Sequence, residues 1–360
     1  MPEATHAPAA ATVGPPVGMA VRLSSNESPF GPSNQAVESM EQAARDVHRY
    51  PDDQSRRLRA ALAAHEGVSE ANVAIGNGSA AILMDLVAHE ITAHGPGSVL
   101  SFERAFIVYR LAARNAGARY VEAPTAGPAT PETSGYARDL GALLERVDDD
   151  VRLVMIDNPG NPTGTHLDGD ELTALVQSLP DHVTIVIDEA YHHFAAGQRG
   201  YRTVAELGLD HPRLLVTRTF SKAYALAGLR VGYVMGPEAI VSSLDGFRAR
   251  FNVGSVAQAG ALAALADQPH LTSTVGRAIL QRDRITEGLR EIGMPCTDSL
   301  GNFVTFEVGG VAASAIDAFG QRGIGVRGLV PYGMTEQVRV TAGTEDEVDA
   351  FLEAAADLLA

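Results

Sequence analysis

Short apolar runs alternate with amphipathic stretches along most of the chain. The runs at residues 72–75, 98–102, 119–122, 153–156, 183–187, 214–217 and 231–234, most of them rich in Val, Ile and Leu, read as strands. Between them, 80–93, 108–116 and 169–178 carry apolar positions at helical spacing. Such alternation predicts an α/β fold, a mostly parallel sheet with helices on both faces. The pattern changes near Pro237: one long helical region to Glu291 is followed by a strand at 301–307, a helix at 312–322, a strand at 338–341 and a helix at 345–359. This predicts a second, smaller α+β domain. Residues 125–135 form the one interior stretch loose enough for a mobile loop, and internal repeats are absent.

With 360 residues, 45% of them hydrophobic, the chain can build more than one core. A formal charge of −16 argues against a nucleic-acid partner. Every apolar run falls short of the roughly 20 residues a membrane span needs, so no membrane contact is expected. Residues 1–18 are rich in Ala and Pro and lack the basic and apolar regions of a secretion signal. They read as a disordered leader on a cytoplasmic protein. The lone Cys296 excludes a disulfide framework and reads as a packing thiol. No metal is expected: His192 and His193 are adjacent and cannot both face one ion, and His65-Glu66 and His89-Glu90 lack a second His at i+4.

Of the 28 basic residues, 27 are Arg and one, Lys222, is Lys. Arg serves wherever charge alone is needed, whereas an amine that must lose its proton and attack a carbonyl has to be Lys. Gly76-Asn77-Gly78-Ser79-Ala80-Ala81 follows a strand and opens a helix, which suits a phosphate. It could serve a dinucleotide, with Glu103 reaching a ribose, the phosphate of another cofactor, or no ligand at all. The strand ending in Asp188-Glu189 has the shape of a nucleotide hydrolase's acidic strand, but no G-x-x-x-x-G-K-[ST] loop accompanies it. A carboxylate at that sheet edge can hold a proton on a ring nitrogen. Asn158-Pro159-Gly160-Asn161-Pro162-Thr163-Gly164 forces a rigid turn that projects the Asn161 amide. Thr219 and Ser221 just before Lys222, with Arg230 eight residues after it, suit a phosphate beside an amine. Lys222 therefore reads as a Schiff-base lysine next to a phosphorylated aldehyde.

These motifs, with Leu23-Ser24-Ser25-Asn26-Glu27-Ser28-Pro29-Phe30-Gly31-Pro32, Arg49-Tyr50-Pro51-Asp52, Val326-Arg327 and Arg339-Val340-Thr341, make the chain resemble the fold type I pyridoxal-phosphate aminotransferases, histidinol-phosphate branch. The resemblance runs nearly end to end. It implies pyridoxal 5′-phosphate as cofactor, with Lys222 bonded to its aldehyde and later moving the proton at Cα. It places Asp188 on the ring nitrogen, Asn161 and Tyr191 on the ring oxygen, and Phe106 stacked on the ring. Gly78, Ser79, Ala80, Thr219, Ser221 and Arg230 would hold the phosphate, and Tyr50 would reach the phosphate of a neighbouring subunit in a homodimer with shared active sites. Arg339 would take the substrate carboxylate and Arg327 the substrate phosphate.

Two departures stand out: Ala80-Ala81 where the family usually carries an acid, and Glu103-Arg104 ahead of the stacking residue, which would bring charge near the site. The expected organisation is a leader at 1–18, an N-terminal segment at 19–45 joining the small domain, a large cofactor-binding domain at 46–244 and a small domain at 245–360. The expected activity is amino transfer from a small amino donor to a 2-oxo acid, foremost histidinol phosphate with 2-oxoglutarate. Paralogues acting on aromatic or other amino acids look similar. A threonine-phosphate type decarboxylase would share the cofactor, and a non-catalytic sensor would need a DNA-binding module for which the chain has no room.

Overall fold

A computed structural model describes residues 20–131, 133–198 and 200–358, so the predicted leader lies outside the described residues. In chain order the strands are β1 (Val21–Arg22), β2 (Val73–Gly76), β3 (Ser98–Phe102), β4 (Arg119–Ala123), β5 (Val151–Asp157), β6 (Thr184–Asp188), β7 (Leu214–Thr219), β8 (Gly232–Met235), β9 (Phe303–Glu307), β10 (Ile324–Gly325), β11 (Arg327–Gly328) and β12 (Gln337–Thr341). Seven of them form one sheet in the order β2-β8-β7-β6-β5-β3-β4. All neighbours in it run parallel except β8, which is antiparallel to both β2 and β7. This is the predicted mostly parallel α/β sheet.

The central strands are buried on both faces. Along β5, Val154 and Ile156 join one apolar core, while Leu153 and Met155 join another on the opposite side. This two-residue alternation explains why those strands read as unbroken apolar runs. The helix Ser79–His94 covers the second face with Leu83, Leu86 and Val87. Two acids close the alternation: Asp157 and Asp188 end β5 and β6 as paired Cα partners, both on the second face.

A third core belongs to the C-terminal region, where the antiparallel sheet β11-β12-β9 packs Val304, Phe306, Val338 and Val340 against the helix Glu345–Asp357. The short β1 pairs with β10, and Leu23 beside it enters this core. Cys296 is buried in the same core and burial raises its thiol to about 11. The expected single helical region after Pro237 is three helices, Glu238–Phe247, Ser255–Ala266 and Gln268–Glu291. Residues 125–135, expected as a mobile loop, form part of a hydrogen-bonded excursion, with Ala126 N–H donating to Ala137 O at 2.8 Å and Tyr136 N–H to Gly127 O at 2.8 Å.

Candidate active site

The carboxyl ends of parallel strands are where α/β sheets collect ligand-binding residues. Here β5 delivers Asp157, β6 delivers Asp188 and β7 delivers Thr219 to one edge. From β2 the chain turns through Gly78 at φ +80° into the helix Ser79–His94, whose first N–H groups are free to meet an anion. Gly78 is required by its positive φ, and a Cβ there would also push on the Arg230 guanidinium. The Arg230 guanidinium donates to Ser221 Oγ at 3.3 Å, and Thr219 Oγ1 donates to the same oxygen at 2.9 Å. Helix terminus, guanidinium and two hydroxyls thus converge as an anion cradle.

Beside the cradle, Lys222 donates to Ser25 O at 3.2 Å and lies 5.8 Å from the centre of the Tyr191 ring. Burial lowers its ammonium pKa to about 7, with the Arg339 guanidinium the next cause. A substantial fraction of the amine is therefore in its neutral, nucleophilic form near neutral pH. Asp188 shifts the opposite way, pushed up to about 7 by burial and then by the charge of Asp157. Its Oδ2 accepts from Tyr109 at 3.3 Å, while Oδ1 is buried with no hydrogen-bond partner. A buried carboxylate oxygen left this way calls for a donor, preferably a cationic one.

A cavity of about 320 Å³ gathers Ser79, Ala80, Phe106, Asn161, Asp188, Tyr191, Thr219, Ser221, Lys222 and Arg230, all of them expected from the sequence. Arg339 is buried behind its wall, donating to Asn161 Oδ1 and, at 3.0 Å, to Ser24 O. Arg327 is half-buried on β11, its Cα paired with that of Arg339. Tyr50 does not line this cavity: it is 84% exposed and stacks on Phe251 with ring centres 4.7 Å apart. Glu103 and Arg104 do not line it either. They pair with each other at 2.9 Å, and Arg104 also donates to Thr125 at 2.5 Å. Their charges are thus answered outside the cavity.

The sequence reading assigned no role to Ser25, Glu27 or Asp157, which also line the cavity, or to Asn26, which donates to Tyr191 Oη at 2.9 Å. The two acids that close β6 part company. Glu189 accepts from Arg218 at 2.7 and 2.9 Å, and Arg218 in turn donates to Glu66 at 2.6 Å. That buried cluster adjoins a separate, larger cavity of about 550 Å³, lined by Leu214, Val216 and Met235 among others. Among the described residues no group of three or more His, Cys, Asp or Glu side chains is placed to hold a metal ion, and no helix is long and apolar enough to cross a membrane.

The profile of the family described as aminotransferase class I and II matches residues 19–354. The chain belongs to this family. It is 42% identical to histidinol-phosphate aminotransferase 2 of Methylococcus capsulatus over 93% of its own length and 89% of that protein's. It is also 39% identical to an aromatic amino acid aminotransferase of Nocardia farcinica, covering 94% of this chain and 91% of that one. Among solved structures, the histidinol-phosphate aminotransferase of Sinorhizobium meliloti in complex with pyridoxal-5′-phosphate superposes with a TM-score of 0.84 at 30% identity, covering 95% of this chain and 91% of that one. The protein is thus an aminotransferase with the fold type I architecture.

Proposed function

We propose that this aminotransferase uses pyridoxal 5′-phosphate to move an amino group between histidinol phosphate and 2-oxoglutarate. The observation that carries the cofactor assignment is the pairing, in one cavity, of the chain's one lysine with an unpartnered buried oxygen of Asp188. The residues fit that cofactor at each end. The cradle around Gly78, Ser221 and Arg230 suits its phosphate, Asp188 Oδ1 suits its ring N–H, and Phe106 offers a stacking face.

When bound, the cofactor supplies an aldehyde that takes up the substrate amine and a ring that draws electron density from Cα. Lys222, lowered to about 7 and so partly neutral at that pH, would be the amine that bonds to the aldehyde and, when free of it, the base that holds and moves the proton at the substrate Cα. Asp188 would hold a proton on the ring nitrogen through the negative charge of its buried carboxylate, whose Oδ1 makes no well-formed hydrogen bond within the chain. The Tyr191 hydroxyl, accepting from Asn26, keeps its own proton to donate, since burial first of all raises its pKa. Arg339, buried beside the cavity and held by Asn161 and the Ser24 carbonyl, would offer its guanidinium to a carboxylate in place of the Asn161 bond.

The substrate reading is supported by the two arginines on paired strands, which suit two anions, and by the 42% identical relative. Losing one partner of a desolvated anion pair costs roughly 2 to 5 kcal/mol, about thirty-fold to a few thousand-fold in affinity. Arg327→Ala is expected to weaken histidinol phosphate by such a factor while sparing phenylalanine, and Arg339→Ala to damage mainly the glutamate half-reaction. Stopped-flow half-reactions with each amine test this. An Arg327→Ala enzyme unchanged toward the phosphorylated amine would transfer the assignment to the aromatic activity, the second reading, which the 39% identical relative favours.

A homodimer with shared sites follows from Tyr50. It stands exposed, stacked on the exposed Phe251 and not lining the chain's own cavity, which is consistent with a residue that serves a second copy. Mixing inactive Tyr50→Ala and Lys222→Ala proteins should restore part of the activity through hybrid dimers with one intact site. Absence of rescue, despite demonstrated subunit exchange and an inactive Tyr50→Ala parent, would refute the shared site.

A further inference from the structure

Asp157 lines the catalytic cavity one strand away from Asp188, yet no step of the proposed reaction uses it. Its side chain and that of Arg138 are each only 4% exposed. Oδ1 accepts from Arg138 Nη2 at 2.8 Å, and Oδ2 accepts from two backbone N–H groups, Phe106 at 3.0 Å and Asn161 at 2.8 Å. Burial raises its pKa, and the Arg138 charge and the two backbone N–H groups oppose that shift; three donors and no acceptor suit the ionised carboxylate, since a protonated acid would leave its own O–H without a partner. Arg138 lies 5.3 Å from the Phe102 ring centre and fills the space that a Cβ at Gly160 would need.

We propose that Asp157 and Arg138 form a positioning clamp, in which one carboxylate holds the segment bearing Phe106 and the segment bearing Asn161 at a fixed separation while Arg138 balances its charge, setting the electrostatic field at the ring-binding site. The inference rests on the cofactor reading above. Phe106 and Asn161 are separate walls of the cavity, and Asp157 is the group bonded to both of their backbones. The charged and titratable groups facing it are Arg138 from the loop before the helix Leu140–Leu144, Asp188 on β6, Tyr109 on the helix Ile107–Ala116, Tyr120 on β4 and Tyr332, with Lys222 in the same cavity. Of the charges acting on Asp188, that of Asp157 contributes most.

The test uses the near-isosteric Asp157→Asn and the neutral, shorter Arg138→Gln, with Arg138→Lys as a charge-keeping control. The readouts are the dissociation constant for pyridoxal phosphate and the pH midpoint of the visible band that it gains on binding. Both neutral variants should bind pyridoxal phosphate roughly tenfold more weakly, because the clamp's hydrogen bonds are lost or weakened. Their midpoints should move in opposite directions by roughly one unit: down in Asp157→Asn, where a negative charge is lost, and up in Arg138→Gln, where a positive one is lost. Arg138→Lys should keep the wild-type midpoint. A merely structural pair would move both midpoints the same way or leave both in place, and either result overturns the clamp. Should Asp157→Asn fail to fold, the comparison of Arg138→Gln with Arg138→Lys decides, and equal midpoints for the two overturn it. A wild-type protein that takes up no pyridoxal phosphate would instead sink the cofactor reading and this inference with it.

Discussion

Lys222→Ala is expected to bring transamination below detection, a loss of at least about 10⁴-fold. The size follows from two roles falling on one atom. In the proposed reaction the Nζ amine is both the nucleophile toward the cofactor's aldehyde and the base at Cα, and the chain contains no second lysine to replace it. Arginine could not substitute, because its guanidinium does not give up a proton near neutral pH. The loss is specific to chemistry. Lys222 makes one hydrogen bond, to Ser25 O at 3.2 Å, and the surrounding core does not depend on it, so the variant should unfold at a temperature close to wild type. Steady-state assay, together with borohydride treatment of the pyridoxal-phosphate-loaded protein, checks the claim. Wild type should become irreversibly labelled on Lys222 and the variant should not. Substantial turnover by Lys222→Ala would remove the lysine from the reaction.

Asp188→Asn should lower the rate of each half-reaction by roughly 10² to 10³, the range for removing one preorganised electrostatic group. The carboxylate reaches about pH 7 in proton affinity because it is buried and next because Asp157 stands beside it. Both features make it a strong partner for a protonated ring nitrogen. An amide of the same shape cannot supply that charge, so Cα–H bond breaking slows while cofactor binding suffers less. Tyr109 can still donate to the amide oxygen, which keeps the fold in place. Single-turnover rates measured with saturating cofactor are the deciding quantity, and a variant running at the wild-type rate would show that Asp188 does not act on the ring.

The sheet was legible because its central strands are buried on both faces, so β5 and β6 carry uninterrupted apolar runs at 153–156 and 185–187. The strands of two residues, β1, β10 and β11, carry no such signal, since their pairing is decided by tertiary contacts and not by local pattern. The helical region after Pro237 read as one element because its composition stays helical throughout. Its breaks lie where Gly254 and Pro269 open the next helices, signals that were present. At the site, the residues that must be one particular chemical type were the easiest to read: an amine at Lys222, an acid at a strand end at Asp188, hydroxyls and a guanidinium around a phosphate. Asp157 escaped because it abuts the Asn158-Pro159 turn, where an acid reads as a turn former, and its partner Arg138 is one arginine among 27.

The most direct test of the account is the ratio of kcat/KM for histidinol phosphate to that for phenylalanine, measured with 2-oxoglutarate as acceptor and glutamate as the product followed. If Arg327 binds the substrate phosphate, histidinol phosphate should be favoured by at least roughly thirty-fold, the lower end of the range for one desolvated charge pair. A ratio below one would contradict the histidinol-phosphate assignment and make the protein an aromatic amino acid aminotransferase.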